Sequence, residues 1–198
     1  MRYVALGDSY TIGTSVGPAE RWPDQLTASL REATPALEPV ANLGVNGCTS
    51  ADLIRDQLPA LARLLPGFVS LLIGVNDIVQ GVSAAAYKQN VTAILDALLG
   101  RLPAARIVTI ATPDYTVTPA GADFGDPRRQ RAGIIAINAT MARLATGRGI
   151  AFVDTFDISL RAANEPALVA ADGLHPSGAQ YALWVERIRP VVEGLLRR

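Results

Sequence analysis

The chain contains a single histidine, His175, three residues after an aspartate in the run Ala171-Asp172-Gly173-Leu174-His175-Pro176. An imidazole can take a proton from a hydroxyl when a carboxylate fixes its tautomer and steadies the imidazolium that forms. Asp172 is close enough in sequence to reach the ring. The hydroxyl with the matching setting is Ser9, in Tyr3-Val4-Ala5-Leu6-Gly7-Asp8-Ser9-Tyr10, where an apolar run stops at a glycine and two polar side chains follow. A serine becomes a nucleophile beside such a base, and the tetrahedral intermediate of acyl transfer then needs donors for its oxyanion. The Ser9 N–H, the Gly44 N–H in Asn42-Leu43-Gly44-Val45-Asn46-Gly47 and the amide of Asn76 in Gly74-Val75-Asn76-Asp77 are the available ones. Glycine at 44 would let the backbone approach a substrate without a Cβ in the way.

These residues lie far apart in sequence, so a fold must gather them. Short β-rich runs occur at 2–6, 37–42, 67–73, 105–111 and 150–154, separated by longer segments with helical spacing. Tyr87, Val91, Ile94, Leu95 and Leu98 share one helical face before Gly100 and Pro103, and Ile134, Ile137, Met141 and Leu144 do so before Gly147. Tyr181, Trp184, Val185, Ile188, Val192 and Leu195 form a third stripe, with Pro190 expected to bend it. Near-continuous apolar strands alternating with helices predict a three-layer α/β/α sandwich with a central, mostly parallel sheet of about five strands. In open sheets of this kind ligands bind beyond the carboxyl ends of the strands. Ser9, Gly44 and Asn76 each follow one of the predicted strands, and the Asp172–His175 loop precedes the last helix. Pro176 biases His175 away from helical angles, onto an extended loop.

Composition narrows the chemistry further. The 198 residues suit one domain, 1–198, and contain no repeat, low-complexity tract or charged block that would mark a linker. Eighteen basic and eighteen acidic residues leave no net field to attract nucleic acid or anionic lipid. The longest apolar run, 68–75, is far too short to span a membrane, so no membrane insertion is expected. One cysteine, Cys48, excludes an intrachain disulfide and Cys-rich zinc sites, and one histidine excludes the usual multi-His metal sites. No metal or cofactor is implied. The N-terminus lacks the features of a signal peptide, which places the protein in the cytoplasm if Met1 is its natural start; a trimmed chain would leave secretion open. Oligomeric state is not legible.

The blocks Leu6-Gly7-Asp8-Ser9-Tyr10-Thr11-Ile12-Gly13, Asn42–Gly47, Gly74-Val75-Asn76-Asp77-Ile78 and Asp172-Gly173-Leu174-His175-Pro176 occur in that order. Together they resemble the SGNH (GDSL) hydrolase family of serine esterases and lipases, whose fold is flavodoxin-like. The segment 21–26 also resembles the start of that family's first helix. The resemblance implies Ser9 as nucleophile, Asp172 and His175 completing a triad, and Ser9, Gly44 and Asn76 forming the oxyanion hole. Tyr10 stands where the family name has leucine and is expected to affect the neighbourhood of the site. The implied activity is hydrolysis of small-molecule carboxylic esters, with short acyl or acetyl groups favoured. Lysophospholipase, thioesterase, carbohydrate deacetylase and acyltransferase activities occur in the same family. The Pro- and Gly-rich segment 113–127 is expected to shape the substrate pocket, with Tyr115 and Phe124 as its apolar walls.

Each residue also has a plainer reading. Ser9 suits a turn or helix cap, Asn76 could start the helix after the third strand with Asp77 as its N-cap, and Gly44 and Gly47 could be turn glycines. Cys48 reads as a small buried residue, Arg128, Arg129 and Arg131 as a solvated face, and Asp154 and Asp157 as loop and cap residues. A flavodoxin-like domain that holds a ligand without reacting is the rival from another class. The nucleophile elbow G-x-S-x-G, the P-loop and the dinucleotide fingerprint are all missing.

Overall fold

The computed structural model describes residues 1–33 and 35–198. Five parallel strands form one sheet: β1 (Arg2–Gly7), β2 (Glu38–Asn42), β3 (Phe68–Leu72), β4 (Ile107–Ile110) and β5 (Ala151–Val153), in spatial order β2-β1-β3-β4-β5. All five predicted strands are present, each within two residues of its expected ends.

Alternation along the strands sorts the core into two layers. Tyr3, Ala5, Phe68, Leu72, Val108 and Ile110 face one side, where they meet Trp22 and Leu26 of α2 (Trp22–Ser29) and Trp184, Ile188 and Val192 of the last helix. Val4, Leu6, Val69, Leu71 and Ile107 face the other side, against α6 (Ala84–Leu99) and α7 (Pro127–Thr146). Helices on both faces leave little of the inner strands β1, β3 and β4 to solvent, which explains why these read as apolar runs, whereas the edge strand β2 is partly exposed. The shorter helices are α1 (Ser9–Ile12), α3 (Ser50–Asp52), α4 (Leu61–Leu64), α5 (Val75–Val79) and α8 (Phe156–Leu160). A π turn, Leu53–Gln57, continues α3. The last helix, α9 (Gly178–Leu196), continues through the exposed Pro190 without a break.

Strand order places the site. β1 connects outward to β2, whereas β3 connects the opposite way to β4, so a crevice opens between the carboxyl ends of β1 and β3. Gly7 and Leu72 are partners in register at that point. A Cβ on residue 7 would lie 2.3 Å from the Leu72 carbonyl oxygen, so only glycine can end β1 this close to β3. Ser9 follows one of the two strand ends and Asn76 the other. No helix among the described residues is long and apolar enough to cross a membrane.

Candidate active site

Ser9 is the first residue of α1 and Asp8 is its N-cap: Asp8 Oδ1 accepts the Tyr10 N–H at 3.0 Å. The N–H of a first helical residue has no acceptor within its helix, so the Ser9 N–H is a donor left for something else. Asp8 itself is fully buried, and burial pushes its carboxyl up to about 8 against the pull of the Tyr10 N–H, with the nearby Asp77 adding to the rise. Its second oxygen has no hydrogen-bond partner among the described residues.

The Asp172–His175 loop is a succession of turn and bend, not the extended loop that Pro176 suggests: the Gly173 N–H donates to the Ala170 carbonyl at 3.0 Å, Gly173 takes a left-handed φ of 73°, and the chain enters α9 through the Ser177 cap. Asp172 Oδ2 lies 2.6 Å from His175 Nδ1. Asp172 Oδ1 accepts the backbone N–H groups of Leu174 and His175, each at 2.9 Å, and a further hydroxyl, from Ser15, reaches Oδ2 at 2.6 Å. Partial burial raises the Asp172 carboxyl, but these bonds outweigh it and hold the group well below the usual carboxylate range. With Nδ1 engaged by Asp172, Nε2 is the ring nitrogen left to act on a hydroxyl. The Tyr10 ring packs on the imidazole with centroids 5.6 Å apart, and Trp184 backs Tyr10 at 6.5 Å.

The expected oxyanion donors are placed differently from one another. Asn76 lies in the first turn of α5, where its Nδ2 donates one hydrogen to the Cys48 carbonyl at 3.0 Å and retains a second. The Gly44 N–H donates to Asn42 Oδ1 at 3.0 Å, and Gly44 does not line the cavity that holds Ser9. Glycine is required at 44 for a reason other than substrate approach: a Cβ would sit 2.5 Å from the Ile12 nitrogen and 2.8 Å from the Asp8 carbonyl oxygen. Gly44 therefore packs directly against the turn that carries Ser9. Asp77 is not the N-cap of α5, which is Gly74; the buried Asp77 carboxylate instead accepts the Ser50 N–H at 2.9 Å and the Ser50 hydroxyl at 2.5 Å. Asn90 donates to that same Ser50 hydroxyl at 2.9 Å, which ties α3, α5 and α6 together behind Asn76.

Ser9 and His175 line one cavity of about 230 Å³. Tyr10, Tyr115 and Phe124 line it too, along with Asn76, Val75, Val79 and Leu174. Tyr115 and Phe124 meet edge to face at 5.9 Å, so the segment 113–127 does form a wall beside Ser9. Asn46 and Gly47 complete the lining. The sequence pattern passed over Asn46, although its place in the second block beside Gly44 was a signal; Thr14 donates to Asn46 Oδ1 at 2.5 Å. Gly47 adopts a left-handed φ of 77°, as a turn glycine does, and faces the cavity as well.

The plainer readings fare unevenly. Cys48 is buried just ahead of the Thr49 cap of α3. Arg128 and Arg129 are exposed at the start of α7, but Arg131 pairs with the buried Asp114 at 3.1 Å and so anchors the wall segment. Asp154 Oδ1 accepts the Phe156 N–H, and Asp157 pairs with Arg187, so neither belongs to a carboxylate pair at the site.

The fold has solved counterparts. A structure described as TesA matches with a TM-score of 0.74 at 21% identity, covering 98% of this chain and 99% of that one. A member of the lipolytic protein G-D-S-L family from Veillonella parvula matches at 0.77 and 18% identity, covering 96% and 97%. A catalytic mutant of Axe2, an acetylxylan esterase from Geobacillus stearothermophilus, matches at 0.76 and 17% identity, covering 96% and 93%. No significant relative is found among curated proteins. The sequence profile described as GDSL-like Lipase/Acylhydrolase family matches residues 5–183. The chain belongs to the GDSL-like lipase/acylhydrolase family and is a carboxylic ester hydrolase.

Proposed function

We propose that Ser9 is the nucleophile of this hydrolase, His175 its general base and acid, and Asp172 the carboxylate that orients the imidazole. One observation carries the reading: Ser9 and His175 share a cavity, while the far nitrogen of the imidazole is held by Asp172 at 2.6 Å. His175 Nε2 takes the Ser9 proton as Oγ attacks the acyl carbon. The Ser9 N–H and the free hydrogen of Asn76 Nδ2 then receive the oxyanion. The Gly44 N–H joins them only by leaving Asn42 Oδ1. The alcohol departs with the proton from His175, and a water activated by the same ring releases the acid.

The walls indicate the acyl group. Tyr10, Val75, Val79, Tyr115, Phe124 and Leu174 are apolar or aromatic, and His175 is the only ionisable group beside them apart from the two buried phenols. At about 230 Å³ the space falls below the roughly 300–1,000 Å³ that accommodates drug-sized ligands. An uncharged, short acyl chain fits this description best. The test is a fluorophosphonate probe combined with p-nitrophenyl esters of graded acyl length. Stoichiometric labelling that Ser9→Ala abolishes, with turnover falling steeply beyond medium chains, is the expected result. Labelling that survives in Ser9→Ala removes Ser9 from the reaction, and faster turnover of palmitate than of butyrate removes the short-chain assignment.

A further inference from the structure

Among the described residues, Ser15 and Leu65 are the non-glycine residues held at a positive φ, and Ser15, at 66°, touches the site. The Val16 N–H donates to the Gly13 carbonyl at 3.3 Å, closing a four-residue turn with Ser15 in its third position. A positive φ there normally calls for glycine or asparagine, and serine avoids it. The side chain that this turn presents is bonded across the fold: Ser15 Oγ donates to Asp172 Oδ2 at 2.6 Å, over a separation of 157 residues. That length is typical of a hydroxyl donating to an ionised carboxylate. The same oxygen faces His175 Nδ1.

The surrounding bonds show what this contact adds. Both bonds to Asp172 Oδ1 come from its own loop, at Leu174 and His175, so they shape the loop without placing it against the nucleophile. The turn carrying Ser15 is fixed to the nucleophile itself, since the N–H groups of Gly13 and Thr14 both donate to the Ser9 carbonyl, at 3.0 and 3.1 Å. Ser15 is thus a direct polar link from the turn built on Ser9 to the carboxylate behind His175. We infer that Ser15 is a positioning residue of the catalytic centre: its hydroxyl sets the Asp172 carboxylate relative to Ser9 and shares the oxygen that faces the imidazole. The inference rests on the assignment of Ser9, His175 and Asp172 made above.

The hydroxyl also acts on charge. A hydrogen bond donated to a carboxylate makes it a weaker partner for an imidazolium. Removing the bond therefore favours protonated His175 and moves the acid limb of the activity profile to higher pH. The other titratable groups facing the pair are Tyr10 of α1 and Tyr181 of α9, and burial raises both phenols, leaving them neutral in this range.

Two variants separate the hydroxyl from the backbone. Ser15→Ala removes the hydroxyl and keeps the unfavourable φ, whereas Ser15→Gly removes the hydroxyl and relieves it. Both are expected to lower kcat on p-nitrophenyl butyrate about tenfold with KM changed less than about twofold. Both should displace the acid limb of kcat/KM upward, while Ser15→Gly melts at or above the temperature of Ser15→Ala. Wild-type kcat and an unmoved acid limb in both variants overturn the inference. Wild-type behaviour in Ser15→Gly alone overturns it too, since the loss in Ser15→Ala would then come from backbone strain. Ser9→Ala and Asp172→Asn run beside them test the underlying assignment: if those retain activity, that assignment fails, and if they alone lose it, only the role of Ser15 fails.

Discussion

Truncating Asn76 to alanine removes two interactions whose sizes differ enough to be measured apart. One hydrogen of Nδ2 is spent on the Cys48 carbonyl at 3.0 Å. Losing that neutral bond costs about 1 kcal/mol of stability. For a chain of 198 residues this lowers Tm by about 2–4 °C. The second hydrogen is the one assigned to the oxyanion, and loss of one such donor raises the barrier by about 3–4 kcal/mol. At 1.36 kcal/mol per tenfold, kcat should fall by roughly two to three orders of magnitude. KM should barely move, because the donor acts on charge that develops only in the transition state. Initial rates on p-nitrophenyl butyrate, taken well below the melting temperature of the variant and paired with a thermal melt, report both quantities. A folded Asn76→Ala protein whose kcat stays within about threefold of wild type would refute the assignment of the donor. A large rise in KM at constant kcat would instead make Asn76 a ground-state contact.

Asp8 and Phe124 give two further tests. An unfolded aspartate titrates near 3.9, roughly, whereas folded Asp8 is pushed up to about 8 by burial. Between those values the unfolded chain has released the proton and the folded chain still holds it, so stability is greatest below the lower value and drains away as pH rises. About four units at 1.36 kcal/mol each set a ceiling on the order of 5 kcal/mol for this effect. Asp8→Asn keeps an acceptor for the Tyr10 N–H and cannot ionise, so its urea midpoint should gain on wild type between pH 5 and pH 8; parallel midpoints would rule the buried acid out. Phe124 is 40% exposed at the cavity mouth, and Phe124→Ala should raise the octanoyl-to-acetyl preference by roughly threefold to tenfold with little loss of stability. An unchanged ratio of kcat/KM values would mean that Phe124 is no wall for the acyl chain.

Most of the fold was legible because it is repetitive. The inner β runs are nearly all apolar, each long helix carries its stripe, and both patterns follow directly from a sheet covered on two faces. The residues proposed for the site stood out for a different reason, since Ser9 and Asn76 follow strand ends and His175 precedes the last helix. What escaped was the work of side chains bonded to distant backbone. Asp77 looked like a local cap, yet its carboxylate is used by Ser50 from another segment, 27 residues away. Arg131 looked solvated, yet it covers Asp114. Ser15 drew no reading from its sequence, and only its φ and its partner single it out. Spacing along a chain reports periodic burial well and reports such single long-range bonds hardly at all.

Two strand ends at the rim are closed by amide side chains in place of neighbouring strands. Gln57 both accepts from the Gly7 N–H and donates to the Gly7 carbonyl, at 3.0 and 2.7 Å. Asn138 of α7 does the same for Thr112, just beyond β4, at 2.8 Å each way. Gly7 at the end of β1 and Thr112 beyond β4 are thus each held by a two-way amide clasp, from the π turn after α3 and from α7, which the loop contacts at Gly7, such as the Val45 N–H at 3.3 Å, only supplement. Loop grafting becomes a practical route to new specificity: the 113–127 wall can be exchanged or resized while the ends of β1 and β4 remain pinned beneath it.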